Sequence, residues 1–270
     1  TLSYHDSSRP HVIEPPALVE PPATLTSPVP TFGQLLDQGR IGQGRPLLLG
    51  YDASTGAPIE GGWDDLYSCG IGGLQGSGKT WAAVFLLAQS ALQGAKFIIC
   101  DLHAHDPESL AARLAPLRAA LLCDVASDDK DILAALKLAD SKLQGRKAGT
   151  IAGRWPIVVA IDEFLALRRG KLADALPPLI EGFSTEGRKL GCFALLMSQR
   201  WNQDAIGSFR NTLASSFVYR MRPAEARMMT GMQGESVPTD TLTLAPGTCY
   251  LLDTRGDCRK VIIPQMTPAD

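Results

Sequence analysis

The chain is predicted to adopt an α/β fold, in which a mostly parallel sheet carries helices on both faces. Uniformly apolar runs, such as residues 157–161, alternate along the sequence with helical stretches, and such runs are typical of parallel strands buried on both sides. A glycine-rich segment at residues 73–80 lies between one such strand and the next helix. The composition is 45% hydrophobic and 20% charged with a net charge of −2, which excludes collagen-like, coiled-coil and wholly disordered chains.

The expected elements follow one another from residue 47 onwards. Strands are predicted at the short apolar runs, at residues 47–49, 66–69, 97–101, 120–124, 157–161, 192–197, 216–221 and 248–252. Helices are predicted at residues 79–92, 109–115, 128–143, 177–190 and 224–232. Pro116 should stop the second helix, and Pro177 fits the first turn of the fourth, because proline lacks the backbone N–H that a helix interior needs.

Residues 1–45 are predicted to form a proline-rich arm or linker, followed by a single domain at residues 46–270. Seven of the 19 prolines lie in residues 1–30, and proline sustains neither a helix interior nor a central strand. The simpler interpretation is an inactive tether. Its few apolar residues would alternatively let it dock on a neighbouring subunit, or on a partner that recruits the chain or anchors it to a membrane.

A cytoplasmic location is expected from the cysteines and from the lack of long apolar runs. The six cysteines are scattered without a CxxC pair, which favours reduced, buried thiols over disulfides or a zinc site. No apolar run approaches the roughly 18 residues that span a bilayer. Because the chain opens with Thr1 rather than Met, we expect a processed chain or a fragment, and a membrane segment could precede it.

The strongest motif is Gly73-Leu74-Gln75-Gly76-Ser77-Gly78-Lys79-Thr80, which matches G-x-x-x-x-G-K-[ST] between a predicted strand and a predicted helix. Its glycines let backbone N–H groups curl towards phosphate oxygens, and the helix adds its positive end. Lys79 would neutralise the β- and γ-phosphates, and the Thr80 hydroxyl would hold Mg²⁺. ATP and Mg²⁺ are therefore the predicted ligands.

Two acids at the end of the strand at residues 157–161 complete the predicted site. Asp162 would orient Mg²⁺, and Glu163 would act as the general base on the attacking water. At the tip of another strand, Gln199 is the candidate sensor of the γ-phosphate. The residues predicted to bind the nucleotide are Gly73, Gly76, Ser77, Gly78, Lys79, Thr80 and Asp162, with Thr80 and Asp162 holding the metal; the predicted catalytic residues are Lys79, Glu163, Gln199 and Arg227.

Three stretches together resemble the motor domain of FtsK-like DNA translocases, within the FtsK/HerA group of P-loop ATPases. They are the glycine-rich motif, the segment from Asp162 to Arg200, and the strand and helix from Phe217 to Met229. The chain departs from the family pattern at Ser198, where Thr is usual, and at Trp201, where Pro is usual. The resemblance implies a RecA-like P-loop NTPase fold and a homo-hexameric ring that threads double-stranded DNA, powered by ATP.

The resemblance also implies that Arg227 reaches the nucleotide of the neighbouring subunit, where it would meet charge developing on the γ-phosphate. A lone arginine in a helix rich in Ala and Met would otherwise be a surface residue. Arg200, Arg188 and Arg210 are weaker candidates for the same role.

A basic surface for DNA is expected between residues 141 and 171, where the only acids are the pair assigned to the nucleotide. Two loop-like segments, at residues 145–154 and 168–171, hold most of its cations, and such contacts would be independent of DNA sequence. The predicted DNA contacts are Arg146, Lys147, Arg154, Arg168, Arg169 and Lys171. The alternative is that both segments are ordinary solvated loops.

Three functions remain open at this level. The first is an ATP-driven translocase of double-stranded DNA. The second is an FtsK-like ATPase that drives protein secretion, and the third is an assembly ATPase in which nucleotide controls oligomerisation without a DNA cargo.

Overall fold

The structure, a computed structural model, describes residues 29–153, 155–201, 213–231 and 238–266, and of Arg169 it describes only the backbone. The prediction of an arm at residues 1–28 and the candidate residues Arg154 and Arg210 fall outside this part of the chain. Within it, none of the helices is both long enough and apolar enough to cross a membrane.

The described strands and helices alternate from Phe32 to Ile262. The strands are β1 Leu47–Asp52, β2 Pro58–Gly61, β3 Ser68–Gly72, β4 Lys96–Cys100, β5 Ile157–Ile161, β6 Cys192–Ser198, β7 Ser215–Val218, β8 Thr248–Leu252 and β9 Cys258–Ile262. The helices are α1 Phe32–Asp37, α2 Trp63–Leu66, α3 Lys79–Leu92, α4 Leu110–Arg113, α5 Asp129–Lys147, α6 Phe164–Arg169, α7 Leu176–Thr185, α8 Gly187–Leu190 and α9 Pro223–Thr230. Short 3-10 helices occur at Ala115–Ala120 and Thr241–Thr243.

All the described strands form one mixed sheet in the order β2-β1-β9-β8-β7-β3-β6-β5-β4. Strands β7, β3, β6, β5 and β4 run parallel, and β8, β9, β1 and β2 extend the sheet through antiparallel pairs. The predicted α/β fold is confirmed, with the parallel strands grouped at one side of the sheet. Because β3, β6 and β5 are parallel neighbours, the glycine-rich loop after β3 and the acid pair after β5 emerge from the same edge of the sheet.

The two faces of the sheet are buried under different helices. Along β4, Phe97 and Ile99 contribute to a core that includes α3 and α1, whereas Ile98 and Cys100 contribute to a second core with α5 and α7. This alternation follows from the two-residue period of a strand. The predicted helices on both faces are therefore confirmed.

Several predicted elements differ from the observed ones around prolines and short loops. The helix predicted at residues 109–115 ends at Arg113, and a 3-10 helix at Ala115–Ala120, which contains Pro116, ends at the first residue of the strand predicted at residues 120–124. In that strand's place, Leu121 makes a single bridge to Phe97. The strand predicted at residues 66–69 begins two residues later, because α2 ends at Leu66.

The fourth predicted helix, at residues 177–190, is divided into α7 and α8 at Glu186. A β-carbon at Gly187 would clash with the carbonyl oxygen of Cys192, so the chain passes closely over the start of β6 at this point. The break lets the last turn, α8, lie directly before β6.

The domain begins before the predicted boundary at residue 46. Helix α1 carries a capping box in which Thr31 and Gln34 exchange hydrogen bonds, and Phe32 and Leu35 on its inner side are buried. The ring of Phe32 meets that of Phe85 edge to face, with centroids 6.0 Å apart. Residues 31–37 therefore belong to the domain, and the prediction of an arm is wrong for them.

Candidate functional site

The predicted nucleotide residues, apart from Gly73, line a cleft of about 540 Å³ at the carboxyl ends of the parallel strands. The loop between β3 and α3 forms its floor. Asp162 and Glu163 after β5, and Gln199 after β6, stand on one side of it. This edge is where ligands bind in open parallel sheets, because the loops and helix N-termini there face solvent.

The glycine-rich loop is held by its neighbours in the sheet. The Leu74 amide donates to the Arg220 carbonyl at 2.8 Å, and the Gly73 amide donates to the Ser198 carbonyl at 3.3 Å. A β-carbon at Gly73 would lie 2.5 Å from the β-carbon of Tyr219, and Gly78 has a φ of +107°, in the region that favours glycine. Glycine is therefore required at both positions for the loop to curl.

Lys79 opens α3 as a buried cation, 8% exposed. Its ammonium donates to the Leu74 carbonyl at 3.2 Å and so bends back over the loop. Burial lowers the pKa of Lys79, while Glu163 and Asp162 partly oppose this shift. The protein therefore balances the positive charge of Lys79 only in part. A bound phosphate would supply the rest of the negative charge.

The same loop offers hydrogen-bonding groups that fit a phosphate and a magnesium ion. Helix α3 has 14 residues and begins at the cleft. The first amides of a helix have no partner within the helix, so those of α3 are available to a ligand in the cleft. The buried Ser77 hydroxyl has no hydrogen-bond partner among the described residues, which is typical of a group that a ligand satisfies. The oxygens of Thr80 and Asp162 both line the cleft, and oxygen is the ligand type that Mg²⁺ takes.

The acid pair is half-buried, and Asp162 lies near one further carboxylate, that of Asp101. Burial, followed by the charges of Asp101 and Glu163, raises the pKa of Asp162 to about 6. Glu163 occupies the left-handed region at φ 49°, and its amide donates to Asp162 Oδ1 at 3.0 Å. This backbone conformation turns the two side chains of adjacent residues towards one cleft.

Asp101 is a site residue that the sequence did not single out. It is fully buried at the end of β4, and its carboxylate accepts from the amides of His103 and Ala111, both at 2.9 Å. It therefore fixes the segment at residues 102–111, part of which lines the cleft, and places a charge next to Asp162. The sequence signal that could have identified it is its position directly after an apolar strand, since Asp162 has the same position after β5.

The end of β6 carries Gln199 on the cleft wall, as the motif predicted, although its role stays a prediction. The departure from the family at Trp201 has a structural reason. The indole is fully buried, donates to the Ser198 carbonyl at 3.2 Å, and would come within 2.6 Å of a β-carbon at Gly72. Trp201 thus packs directly under the strand that leads into the loop.

The candidate arginines within the described residues lie away from the cleft. Arg227 on α9 and Arg200 after β6 are exposed, and neither belongs to the residues lining the cleft. Arg188 lies at the opposite end of the sheet, where its guanidinium covers the ring of Tyr67 at 4.5 Å and hydrogen-bonds its hydroxyl.

Two of the predicted DNA contacts have other partners. Arg146 is in helix α5 rather than in a loop, and it is only 8% exposed. Its guanidinium donates to the carbonyls of Leu190, Gly191 and Trp155 at 2.6–2.8 Å and lies over the Trp155 ring. The prediction that Arg146 contacts DNA is wrong, because the side chain is enclosed and both terminal nitrogens of its guanidinium already donate to backbone carbonyls.

Lys147, the next residue, pairs with Glu186 at 2.6 Å on the surface and is not free for a phosphate in this arrangement. The three other predicted DNA contacts within the described residues lie in or just after helix α6. Arg168 and Arg169 end helix α6 rather than forming a loop, and Lys171 is exposed just beyond it. For these three, a role in DNA binding stays a prediction.

No family model matches the sequence, and no curated protein matches it. Several solved structures do match the chain. The cytoplasmic domain of the type VII secretion ATPase EccC from Thermomonospora curvata has a TM-score of 0.66 at 20% identity, over 88% of this chain and 32% of that chain. The pCW3 conjugation coupling protein TcpA, in its monomer form with ATPγS, has a TM-score of 0.68 at 14% identity, over 87% of this chain and 69% of that chain.

A shorter structure matches over nearly its whole length. The genome packaging NTPase B204 from Sulfolobus turreted icosahedral virus 2, in complex with AMP, has a TM-score of 0.52 at 19% identity, over 75% of this chain and 99% of that chain. The fold is thus that of FtsK-like P-loop ATPase domains, with a RecA-like sheet, as the sequence resemblance predicted. The chain spans 32% and 43% of the two EccC structures it matches.

Proposed function

We propose that the chain hydrolyses ATP and works as one subunit of a ring-shaped motor, a homo-hexamer, that moves double-stranded DNA. The observation that carries the hydrolytic part is the single cleft in which the glycine-rich loop, the acid pair and Gln199 face one another. A phosphate-binding loop alone would fit any nucleotide-binding protein. A carboxylate at Glu163, beside Asp162 and next to that loop, fits one that activates water.

Each residue then has a defined part in the reaction. The loop amides and Lys79 bind the β- and γ-phosphates and hold the γ-phosphorus in position. Glu163 accepts a proton from the attacking water as the new P–O bond forms and the bond to ADP breaks, and Gln199 donates to a γ-phosphate oxygen. Mg²⁺, held through Thr80 and Asp162, would neutralise charge on the phosphate oxygens.

The ring is supported by the position of Arg227. An exposed arginine on a helix outside its own cleft is suited to complete the cleft of a neighbour, where it would stabilise charge on the departing phosphate. The direct test mixes two inactive variants, Arg227→Ala and Lys79→Ala. Mixed rings contain some interfaces with an intact loop and an intact arginine, so partial recovery of ATPase activity is expected, and a mixture that stays as inactive as its parts would contradict the shared site.

A DNA cargo is supported by the short connection between the acid pair and a basic segment. Helix α6 starts at the residue after Glu163 and ends at Arg168 and Arg169, with Lys171 close behind. A shift of the acids on hydrolysis would therefore move these cations. Two structures that share the fold are named as a conjugation coupling protein and a genome packaging NTPase, and both names fit a DNA cargo.

A polypeptide cargo is the second candidate. EccC is named as a secretion ATPase, and one of its structures contains a signal sequence peptide. The burial of Arg146 also removes one cation from the surface that was predicted to follow DNA, and Glu186 places a negative charge beside a second cation, Lys147, on that surface. A channel with fewer cations is less selective for a polyanion.

The test of cargo is the ATPase rate with and without linear duplex DNA over a series of salt concentrations. For a DNA motor the rate should rise several-fold with duplex, and the stimulation should fade as salt increases, because phosphate contacts release counterions. Lys171→Ala should weaken the stimulation, whereas Lys137→Ala, which removes an exposed cation from α5, should not. Turnover that ignores duplex at every salt concentration would exclude the DNA proposal and leave a polypeptide cargo or an assembly ATPase.

A further inference from the structure

The cleft continues beyond the loop that would hold the phosphates. One additional wall follows β4 and includes Asp106 and Glu108, and the other is built from the segment before β8 and the segment after β9. The sequence motifs assigned neither wall. A nucleoside triphosphate is longer than its phosphates, so one of the two walls must meet the nucleobase if the proposed function is correct.

The direction of the bound nucleotide follows from the order of the strands. The γ-phosphate must meet Glu163 and Gln199, which follow β5 and β6 on one side of β3. The α-phosphate and the nucleoside then extend to the other side of β3, towards β8 and β9. The wall after β4 lies on the side of the acids, away from the side towards which the nucleoside extends. Its lining includes the carboxylates Asp106 and Glu108 as well as the cation Arg113, so its charge alone does not favour a triphosphate.

The wall beside β8 and β9 is fixed to the phosphate loop. The Gly247 amide donates to the Ser77 carbonyl at 3.0 Å, and the Ile263 amide donates to the Gly247 carbonyl at 2.9 Å. The backbone amide of Gly247 would lie 3.0 Å from a β-carbon at Gly78. These hydrogen bonds therefore hold the chain after β9 in a fixed position relative to the phosphate loop.

This wall is largely apolar where it lines the cleft. Its members are Pro246, Gly247, Ile263, Pro264, Gln265 and Met266. Ile263 and Pro264 are mostly buried, so Met266 offers more accessible surface than either of them. Proline rings and a methionine thioether present flat or polarisable surface, which packs well against an aromatic base. The competing surface near α3 is Trp81, but the guanidinium of Arg113 already covers its ring at 3.9 Å.

The first helix supports the same wall from behind. The Phe32 amide donates to the Gln265 carbonyl at 3.0 Å, and the Phe32 side chain is anchored on Phe85 of α3. Met266 also packs against the core that contains Phe32. Helix α1 thereby joins the wall to the helix that begins at the phosphate loop.

We propose that Pro264 and Met266 form the nucleobase subsite of this cleft and that helix α1 braces it. The proposal rests on the proposed function and deepens it, because it assigns the base of the nucleotide to residues outside every recognised motif. The side chain of Met266 is only partly buried, so it is free to change rotamer when a base binds.

Calorimetric titration with two probes separates the base subsite from the phosphate subsite. The probes are ATPγS and inorganic tripolyphosphate, each with Mg²⁺, and only the first carries a base. Met266→Ala should weaken ATPγS binding about tenfold and leave tripolyphosphate binding within about twofold. Met266→Leu, which restores an apolar side chain of similar volume, should bring ATPγS binding back to within about threefold of the original.

Two further variants decide between the walls. Met228→Ala removes a methionine from α9, outside the cleft, and should change neither affinity. Arg113→Ala uncovers Trp81 on the competing wall and should leave the ratio of ATPγS affinity to tripolyphosphate affinity unchanged. If that ratio changes in either direction while Met266→Ala has no effect, the base lies on the other wall and the proposal is wrong.

The remaining outcomes are also decisive. An equal loss of both probes in Met266→Ala would mean that the residue supports the loop rather than the base, which contradicts the proposal. Binding of tripolyphosphate but not of ATPγS to the unmodified chain would overturn the subsite while leaving a phosphate site. If neither probe binds to the unmodified chain, the proposed function itself fails.

Discussion

The two ends of the parallel strands use charged side chains in opposite ways. At the carboxyl end, Lys79 and Asp162 are buried beside groups that only partly balance them, and burial displaces the pKa of each from its ordinary value. At the amino end, Arg146 is buried with three backbone carbonyls as acceptors and an aromatic ring beneath it. The charged groups at the carboxyl end are left incomplete for a ligand, whereas the protein itself supplies acceptors for the terminal nitrogens of Arg146 at the amino end.

The difference follows from the direction of the strands. Helices that follow parallel strands point their amide ends to the carboxyl edge, where they attract anions, whereas carbonyl groups collect at the other edge and accept from cations. Arg146 and Arg188 lie at the carbonyl-rich edge and serve the fold there. We therefore expect substitution of a cation at the carboxyl edge of the sheet to change activity, and substitution of a cation at the amino edge to change stability.

Glu163→Gln should produce the largest effect. The amide cannot accept the proton from water, so we expect ATP to bind while turnover falls about 10²- to 10⁴-fold, as measured by ATPase assay and by calorimetry. The matched control at the amino end is Glu186→Gln, which removes only the surface pair with Lys147 and should keep turnover within about twofold. Normal turnover in Glu163→Gln would contradict the assigned base.

Arg146→Ala should lower the free energy of unfolding by about 2–4 kcal/mol, because three carbonyls lose their donor and a cavity is left beside Trp155. Urea denaturation measures it. Lys147→Ala, one residue further on, should cost no more than about 1 kcal/mol, since its pair with Glu186 is exposed. Equal costs in the two variants, together with weaker DNA binding in Arg146→Ala, would restore Arg146 as a surface cation.

Asp162→Asn should stabilise the Mg²⁺-free protein near pH 7.5 by about 1–2 kcal/mol. Because the pKa of Asp162 is raised to about 6 from 3.8, the protonated form favours the fold; this contribution is full below about pH 4 and is lost as the pH rises through 6. The advantage of the asparagine should therefore shrink as the pH falls below 6. Urea unfolding with EDTA at several pH values measures it, with the exposed Asp174→Asn as control, and an advantage that is independent of pH would refute the explanation.

Arg188→Ala should have the smallest effect, about 0.5–1 kcal/mol in the free energy of unfolding, because its contact with the Tyr67 ring is exposed to solvent. Lys189→Ala, the exposed neighbour, should change stability by less than this. A large fall in ATPase activity with unchanged stability in Arg188→Ala would instead give that residue the role proposed for Arg227.

The parallel half of the sheet could be predicted well from the sequence. Strand β5 and helix α3 have the bounds that the apolar pattern predicted, since uniform burial leaves an unmistakable run of apolar residues. Strands β2 and β9 were missed because they are half exposed: their residues, PIEG and CRKVI, mix polar and apolar types without regular alternation. Their place in the sheet depends on partners that are distant along the chain.

The candidate site was predicted where a motif requires a fixed local geometry. The loop and the acid pair depend on contiguous residues, and the structure brings them to one cleft. Asp101 follows an apolar strand as Asp162 does, but it was not assigned to the site, because an acid at that position often caps the following helix. Met266 was not found, because nothing near it in sequence distinguishes it from other methionines. The error at Arg146 has the same origin, since a cation followed by glycines has the composition of a loop whether or not a helix continues through it.

The sequence by itself determined the fold class, the phosphate loop and the acids that follow β5, because each depends on local periodicity or on the conformational freedom of glycine. Only the tertiary structure decided which cations are enclosed, that α1 belongs to the domain, and that the chain after β9 borders the nucleotide cleft. The physical reason is that burial and hydrogen-bond partners are set by segments far apart in the chain. Their meeting is a property of the packed sheet.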